Sequence, residues 1–167
     1  MKEYYRKVIA KYKKKGIIVD SNLLLLFFVG LIDIQLIKRF SRTIKYSDED
    51  FGALLRILSN FEKIITSPQI LTETNNLANK LVDEHKKRFY FHFSQKIQDF
   101  SEFYLPSVNL SNTQGFERFG LTDISILEVA RNEFLVLTED FRLSQFLIHN
   151  NIDVININNL RDYYLFI

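Results

Sequence analysis

The sequence contains no cysteine and no tryptophan, and it has only five glycines and two prolines in 167 residues. Without cysteine, neither a disulfide nor a cysteine-bound zinc ion can hold the chain together. Few glycines and prolines exclude collagen-like, linker-rich and low-complexity disordered proteins. A chain of this length buries about 70% of its unfolded surface on folding, so it needs no such cross-link. We therefore predict one globular domain over residues 1–167, in a reducing compartment.

The sequence also lacks an apolar run long enough to cross a membrane. The longest run, residues 23–32, is about half of the roughly 20 residues that a spanning helix needs, and Asp20 and Asp33 lie on either side of it. A secretory signal requires a cleavage site of small residues after its apolar run, and no such site follows this run. These features predict a soluble, cytoplasmic protein with no membrane partner.

Charge is unevenly distributed along the chain. The net charge is +2, but residues 1–15 hold seven of the 22 basic residues and one of the 20 acidic residues, which gives +6 there and −4 elsewhere. Tyr5, Val8, Ile9 and Tyr12 recur at helical spacing and predict an amphipathic, basic helical arm over residues 1–15. Such an arm is typical of a segment that binds an anionic partner, or of a solvated helix face.

Strand and helix patterns alternate along the rest of the chain. Short apolar runs at residues 16–19, 63–67, 134–138 and 153–157 predict strands buried on both faces. Residues 80–114 are predicted to form a helical extension, helical to about residue 104 and with a short strand at 107–110. The alternation predicts an α/β fold, a three-layer α/β/α sandwich with a central, mostly parallel sheet of four to five strands.

Four carboxylates fall at corresponding places in this pattern. Asp20 ends the first strand, Glu73 lies in the helix after the second, and Asp123 and Asp140 lie before and after the strand at 134–138. Because ligands of a parallel sheet bind where the strands end, we expect the four acids to converge there. Neighbouring carboxylates repel one another, and an all-oxygen ligand set favours Mg²⁺ or Mn²⁺ as the neutralising ion.

The segments that carry these acids resemble the motifs of a known family. They read IIVDSN at 17–22, SPQILTETNNL at 67–77, LTDISIL at 121–127 and VLTEDF at 136–141. In this order they resemble the four acidic motifs of the PIN-domain family, metal-dependent ribonucleases best known as toxins of toxin–antitoxin pairs. The resemblance covers roughly residues 16–157. It implies a PIN-like fold, hydrolysis of RNA phosphodiester bonds, a small antitoxin protein as partner and a homodimer.

The resemblance also implies roles for individual residues. The catalytic, metal-binding acids would be Asp20, Glu73, Asp123 and Asp140, with Ser21, Asn22, Thr122 and Thr138 as polar supports. With RNA as substrate, the basic segments become candidate phosphate contacts, namely Lys11, Lys13, Lys14, Lys15, Lys86, Lys87 and Arg88. The sequence leaves open whether Glu139 shares the metal site with Asp140, and whether one ion or two are bound.

Other interpretations stay open beside this one. Asp123 and Asp140 each lie at a predicted helix start, where an aspartate caps free backbone amides without any metal. A catalytically silent PIN-like module would keep the fold and use the arm and the aromatic residues at 89–103 to dock a partner. A magnesium-dependent phosphatase on a similar sheet fits poorly, because Asn22 stands where a dehalogenase-like enzyme needs a second aspartate.

Overall fold

A five-stranded, all-parallel sheet forms the centre of the protein. The structure is a computed structural model, and it describes residues 2–160 except for the side chain of Lys2. Residue 1 and residues 161–167 of the predicted domain lie outside the described residues. The strands are β1 (Ile17–Val19), β2 (Ile64–Thr66), β3 (Ser101–Glu102), β4 (Leu135–Thr138) and β5 (Val154–Asn156). Their order is β3-β2-β1-β4-β5, and every neighbouring pair is parallel. The predicted α/β sheet is thereby confirmed.

Helices flank the sheet, consistent with the predicted three-layer sandwich. Within residues 2–160 they are α1 (Lys2–Tyr12), α2 (Ser21–Ile32), α3 (Leu36–Arg39), α4 (Asp48–Leu58), α5 (Pro68–Ala78), α6 (Asp83–Lys96), α7 (Ser107–Ser111), α8 (Phe116–Ala130) and α9 (Phe141–His149), with a 3₁₀ turn at Ile97–Asp99. Local sequence explains where two of these helices start, since Ser47 and Asp50 form a capping box before α4 and Ser67 caps α5. None of the helices between residues 2 and 160 combines the length and apolar content that crossing a membrane requires.

The core lies around β1 and α2. Every residue of β1 is buried, as are nine of the twelve residues of α2. α2 packs closely on α4, where a Cβ on Gly30 would stand 2.3 Å from the Phe51 ring. α6 covers the other side of α2, with Phe28 in edge contact with Phe89 and Phe93 at centroid distances of 5.5 and 5.1 Å. These aromatic residues of the extension are therefore core packing.

The extension at residues 80–114 differs from its prediction in two places. The predicted strand at residues 107–110 is wrong, because these residues form the helix α7. The strand in this region is β3, inside the stretch predicted as helix, where Ser101 and Glu102 pair with Ile65 and Thr66. Two residues at the edge of a sheet are too few to show strand periodicity, so the pattern did not reveal β3.

The basic segment, described from residue 2 onward, packs against the rest of the domain. The Tyr12 hydroxyl donates to the Asp153 carboxylate at 2.7 Å, and the Lys11 ammonium binds the same carboxylate at 2.7 Å. Lys15 forms an ion pair with Glu133 at 2.6 Å. Asp153 and Glu133 lie just before β5 and β4, so the end of α1 and the turn after it are held at the amino edge of the sheet, where the strands begin. The predicted helix is present, but it is not a projecting arm.

Candidate functional site

Asp20 lies at the junction of β1 and α2 and is held by three donors. Its Oδ1 accepts a hydrogen bond from the Leu23 amide at 2.9 Å, which makes Asp20 the N-cap of α2. Its Oδ2 accepts from the Thr138 hydroxyl and from the Glu139 amide, the latter at 3.1 Å. Burial raises the pKa of Asp20 to about 6, against the lowering effect of these hydrogen bonds. The carboxylate is therefore fixed in position, and it binds a proton more tightly than a solvated one.

Glu73 projects from α5 toward the start of α2. Pro68 begins α5 directly after β2, and the Ser67 hydroxyl caps the helix by accepting from the Ile70 amide at 3.4 Å. Glu73 thus lies just over one turn beyond the strand end, where its Oε2 accepts from the Ser21 hydroxyl at 3.3 Å. This bond joins the second acid to the residue that follows Asp20.

Asp140 and Asp123 come from the two helices on either side of β4. Asp140 caps α9 through the Leu143 amide, 3.0 Å from its Oδ1, as the helix-cap interpretation predicts. Asp123 lies in α8 beyond a break at Gly120, whose φ of 75° and ψ of −175° suit glycine alone. Among the described residues Asp123 accepts no capping hydrogen bond, so a capping bond is seen for Asp140 and not for Asp123.

Three of the four acids act electrostatically on the fourth, Asp123. The pKa of Asp123 is raised to about 7, first by burial and then by the charges of Glu73, Asp140 and Asp20. The charge of Arg142 opposes this rise. The structure thus brings together all four acids predicted from the sequence, at the edge of the sheet where the strands end, which we call the acidic edge. Their role as metal ligands stays a prediction.

Glu139 is a fifth carboxylate at the acidic edge. Its charge contributes to the raised pKa of Asp20, and its side chain forms an ion pair with Lys45. The buried Tyr46 lies beside it, and burial together with the charges of Glu139 and Asp20 raises the pKa of the Tyr46 hydroxyl far above its usual range. Of the two neighbouring acids, Glu139 is thus the one paired with Lys45, and Asp140 is the one whose charge acts on Asp123.

The four predicted polar supports differ in what they contact. Ser21 and Thr138 hydrogen-bond to acids of the edge, as described above. Asn22 is exposed. Thr122 contributes its backbone carbonyl, which accepts from the Ser125 hydroxyl at 2.7 Å. Support by hydrogen bonding to an acid is therefore seen for Ser21 and Thr138.

The basic residues predicted to contact RNA lie away from the acidic edge. Lys11 and Lys15 are in ion pairs at the opposite edge of the sheet, about 10 Å or more away along strands of three to four residues. Lys13 and Lys14 lie in the same turn and are exposed. Arg88 donates to the Ile32 carbonyl at the far end of α2, about 18 Å along that helix from Asp20. Lys86 and Lys87 precede it on α6, and RNA binding by all seven stays a prediction.

Two grooves open beside the acidic edge. The first, which we call the α5–α8 groove, has a volume of about 440 Å³ and lies between α5, α7 and α8, with Glu73 and Thr122 in its wall. The second has a volume of about 310 Å³ and lies between α8 and α9. We call it the aromatic–arginine groove; it is lined by Arg118, Phe119, Phe141, Arg142, Phe146 and His149. No sequence pattern indicates the second groove, although Phe141 directly follows Asp140.

The donor atoms at the acidic edge suit a hard divalent cation. All are carboxylate oxygens, they repel one another, and Arg142 is the cation whose charge opposes the raised pKa of Asp123. As they stand, no three His, Cys, Asp or Glu side chains within residues 2–160 form a group that holds a metal ion. The residues therefore fit Mg²⁺ or Mn²⁺ by their chemistry, and binding would require the carboxylates to draw closer.

Comparison with known proteins adds no relative. No protein-family model matches the sequence, and no curated protein matches it either. The resemblance to the PIN-domain family thus rests on the four motifs alone, and the function is inferred from the acidic edge and the grooves beside it.

Proposed function

We propose that the protein is a divalent-metal-dependent endoribonuclease of the PIN-domain type. The observation that carries the proposal is the convergence of Asp20, Glu73, Asp123 and Asp140, which come from four separated segments, at the carboxyl edge of a parallel sheet. Repulsion among partly buried carboxylates destabilises the folded chain unless protons or cations neutralise it. A bound divalent cation removes this repulsion, so the cluster is best explained by metal binding.

Each acid contributes to such a site in its own way. Asp20 is held rigidly by three hydrogen-bond donors, so it fixes where a cation is bound. Asp140 uses one oxygen to cap α9 and keeps the other for a ligand. Glu73 and Asp123 complete the set from α5 and α8. Bound Mg²⁺ or Mn²⁺ supplies a water of lowered pKa as nucleophile and stabilises negative charge on the phosphate.

The surroundings of the acidic edge favour a polymer over a small phosphate ester. The α5–α8 groove and the aromatic–arginine groove open beside it, at Thr122 and at Arg142. An extended chain can therefore cross the acids with nucleotides on both flanks, as cleavage inside an RNA strand requires. The toxin role, the antitoxin partner and the homodimer are predictions that only the family resemblance supports.

A cleavage assay tests the proposal. The purified full chain is incubated with Mn²⁺ or Mg²⁺ and end-labelled single-stranded RNA, beside Asp20→Asn and the matched control Asp99→Asn. Asp99 is exposed in the 3₁₀ turn and far from the acids in sequence. We expect metal-dependent internal cleavage by the wild type and by Asp99→Asn, and none by Asp20→Asn or in EDTA. Equal cleavage by the wild type and Asp20→Asn would refute the proposal.

A further inference from the structure

The aromatic–arginine groove combines exposed aromatic surface with positive charge. Phe141 is 70% exposed, although it directly follows the acid that caps α9. Beside it, Phe119 and Phe146 are stacked with centroids 4.1 Å apart and an interplanar angle of 17°. An aromatic ring left in water at the edge of a groove offers a face on which another flat ring can stack.

The two arginines of the groove form no ion pair with a described residue. Arg118 lies over the Phe119 ring, 5.2 Å from its centroid, and forms no salt bridge with any described residue. Arg142 likewise forms none, and its charge acts on Asp123 across the acidic edge. His149 lies in the last turn of α9, and no Asp or Glu lines the groove. The groove therefore has the charge that complements a phosphate backbone.

Two glycines shape this part of the surface. A Cβ on Gly115 would lie 2.8 Å from the Phe146 ring, so only glycine lets the start of α8 approach α9 this closely. Gly120 breaks α8 between Phe119 and Asp123, so that one helix contributes to both the groove and the acidic edge. The groove and the acids are thereby held as neighbours by the backbone.

We infer that the aromatic–arginine groove binds one unpaired nucleotide of an RNA strand that crosses the acidic edge, with its base stacked on Phe141 and its flanking phosphates at Arg118 and Arg142. This inference rests on the proposed function for its substrate. It assigns Phe141 as a residue that selects unpaired over paired RNA, a role the sequence patterns did not indicate.

Stacking explains the selectivity. A base within a duplex is covered on both faces by its neighbours, so its ring cannot reach Phe141 without unpairing. An unpaired base has a free face, and base–aromatic stacking tolerates any base identity. An acidic peptide would satisfy the arginines but would leave the exposed ring of Phe141 without a matching flat partner.

Binding is measured without metal so that cleavage cannot interfere. The full chain in EDTA is titrated into a fluorescent 12-nucleotide single strand and into the same sequence as a duplex, with anisotropy as the readout. The variants are Phe141→Ala and Phe141→Trp, and the matched control is Phe91→Ala, which removes a phenylalanine of similar exposure, 64%, from α6. Circular dichroism and melting temperature confirm that each variant is folded.

We expect Phe141→Ala to bind the single strand about 5- to 100-fold more weakly, the loss typical of one base–aromatic stack. Phe141→Trp and Phe91→Ala should bind like the wild type, and duplex affinity should change less than twofold. Arg142→Gln should reduce the slope of log affinity against log salt by about 0.7, whereas the control Arg131→Gln should not. Equal single-strand affinity of Phe141→Ala and the wild type, or no RNA binding by the wild type, would overturn the inference.

The two proposals fail separately. If single-strand binding depends on Phe141 and no metal-dependent cleavage occurs, the nuclease proposal is refuted and nucleotide binding in the groove is supported. If cleavage depends on Asp20 and Phe141→Ala does not change binding, the nuclease proposal is supported and nucleotide binding in the groove is refuted.

Discussion

The hydroxyl of Thr138 donates a hydrogen bond to the buried carboxylate of Asp20, which joins the end of β4 to the end of β1. The two strands are neighbours in the sheet, with Val19 opposite Leu137, so their last residues meet by register. The same Thr138 oxygen accepts from the Asp140 amide at 3.0 Å. One hydroxyl therefore connects two acids of the candidate site, and strand pairing sets their separation.

Replacing Thr138 by valine removes this hydroxyl at nearly constant volume. We expect the unfolding free energy to fall by about 1–3 kcal/mol at pH 8, because a buried carboxylate loses a partner. At pH 5 the loss should be smaller, since Asp20, with its pKa raised to about 6, is then largely protonated. Urea denaturation at both pH values measures this, and Thr138→Ser is the control that keeps the hydroxyl. An equal loss for valine and serine would contradict the prediction.

Stability should depend on pH and on divalent cations together. Burial above all raises the pKa of Asp20 to about 6 and of Asp123 to about 7, from the ordinary value of 3.8. The folded state therefore holds these protons more tightly than the unfolded state, and the stability the two groups contribute falls as pH rises from about 4 to about 7. Mg²⁺ or Mn²⁺ should raise the melting temperature clearly at pH 8 and little at pH 5, where protons compete. Equal shifts at both pH values, with ionic strength matched by KCl, would argue against a carboxylate site.

Neutralising Asp123 should stabilise the metal-free protein. Asp123→Asn removes a negative charge that is repelled by the charges of Glu73, Asp140 and Asp20. We therefore expect the unfolding free energy to rise by about 1–2 kcal/mol at pH 8, less than for a fully buried group. The same variant should lose the metal-dependent rise in melting temperature and the cleavage of RNA. Calorimetry with and without Mn²⁺ separates these effects, with Asp99→Asn as a surface control. A destabilised Asp123→Asn would show that the acids do not repel one another in the folded chain.

Gly120 should not tolerate a side chain, although space for one exists. Its φ of 75° and ψ of −175° lie in a region open to glycine alone, while a Cβ there would meet no atom within 4 Å. We expect Gly120→Ala to cost about 1–3 kcal/mol through backbone strain alone. The control Gly52→Ala lies within α4, where a Cβ meets only the far end of Arg56 at 3.4 Å, and should be neutral or stabilising. Chemical denaturation compares the two, and equal effects would exclude backbone strain at Gly120.

Tyr12 should matter for stability and not for RNA binding. Tyr12→Phe removes the hydroxyl that donates to Asp153 at 2.7 Å, and we expect a loss of about 1 kcal/mol. RNA affinity should stay unchanged, because this bond lies at the amino edge of the sheet. The double variant Lys13→Gln, Lys14→Gln tests the predicted RNA contacts of the same segment without disturbing its packing, since both side chains are exposed. Weaker RNA binding by Tyr12→Phe at unchanged stability would contradict this assignment.

Much of the fold follows from local sequence because buried strands and helix caps leave strong signals. The run before Asp20 gives β1, and Ser47 with Asp50 gives the start of α4. β3 leaves no such signal, since Ser101 and Glu102 are an edge pair whose strand state depends on contact with β2. The pattern at residues 107–110 predicts a strand where the structure has α7, because five residues are too few for either period to stand out.

The candidate site likewise contains one part that the sequence predicts and one part that it does not. The acids could be placed because each follows or precedes a strand, and a parallel sheet brings strand ends to one edge. The aromatic–arginine groove could not, because nothing in the sequence distinguishes the exposed Phe141 from the buried Phe89. Exposure is a property of tertiary packing, and the break at Gly120, which lets α8 contribute to both the groove and the acidic edge, cannot be located from periodicity.

The burial of α2 has a consequence for how the protein loses its site. A helix with nine of twelve residues buried exposes its backbone amides to solvent only when the whole domain opens, so its hydrogen exchange should be the slowest in the chain. Asp20 caps this helix, so it leaves its native position only when the helix unfolds. Local fluctuations that loosen the surface of α8 and α9 leave the first acid in place, and its loss coincides with global unfolding.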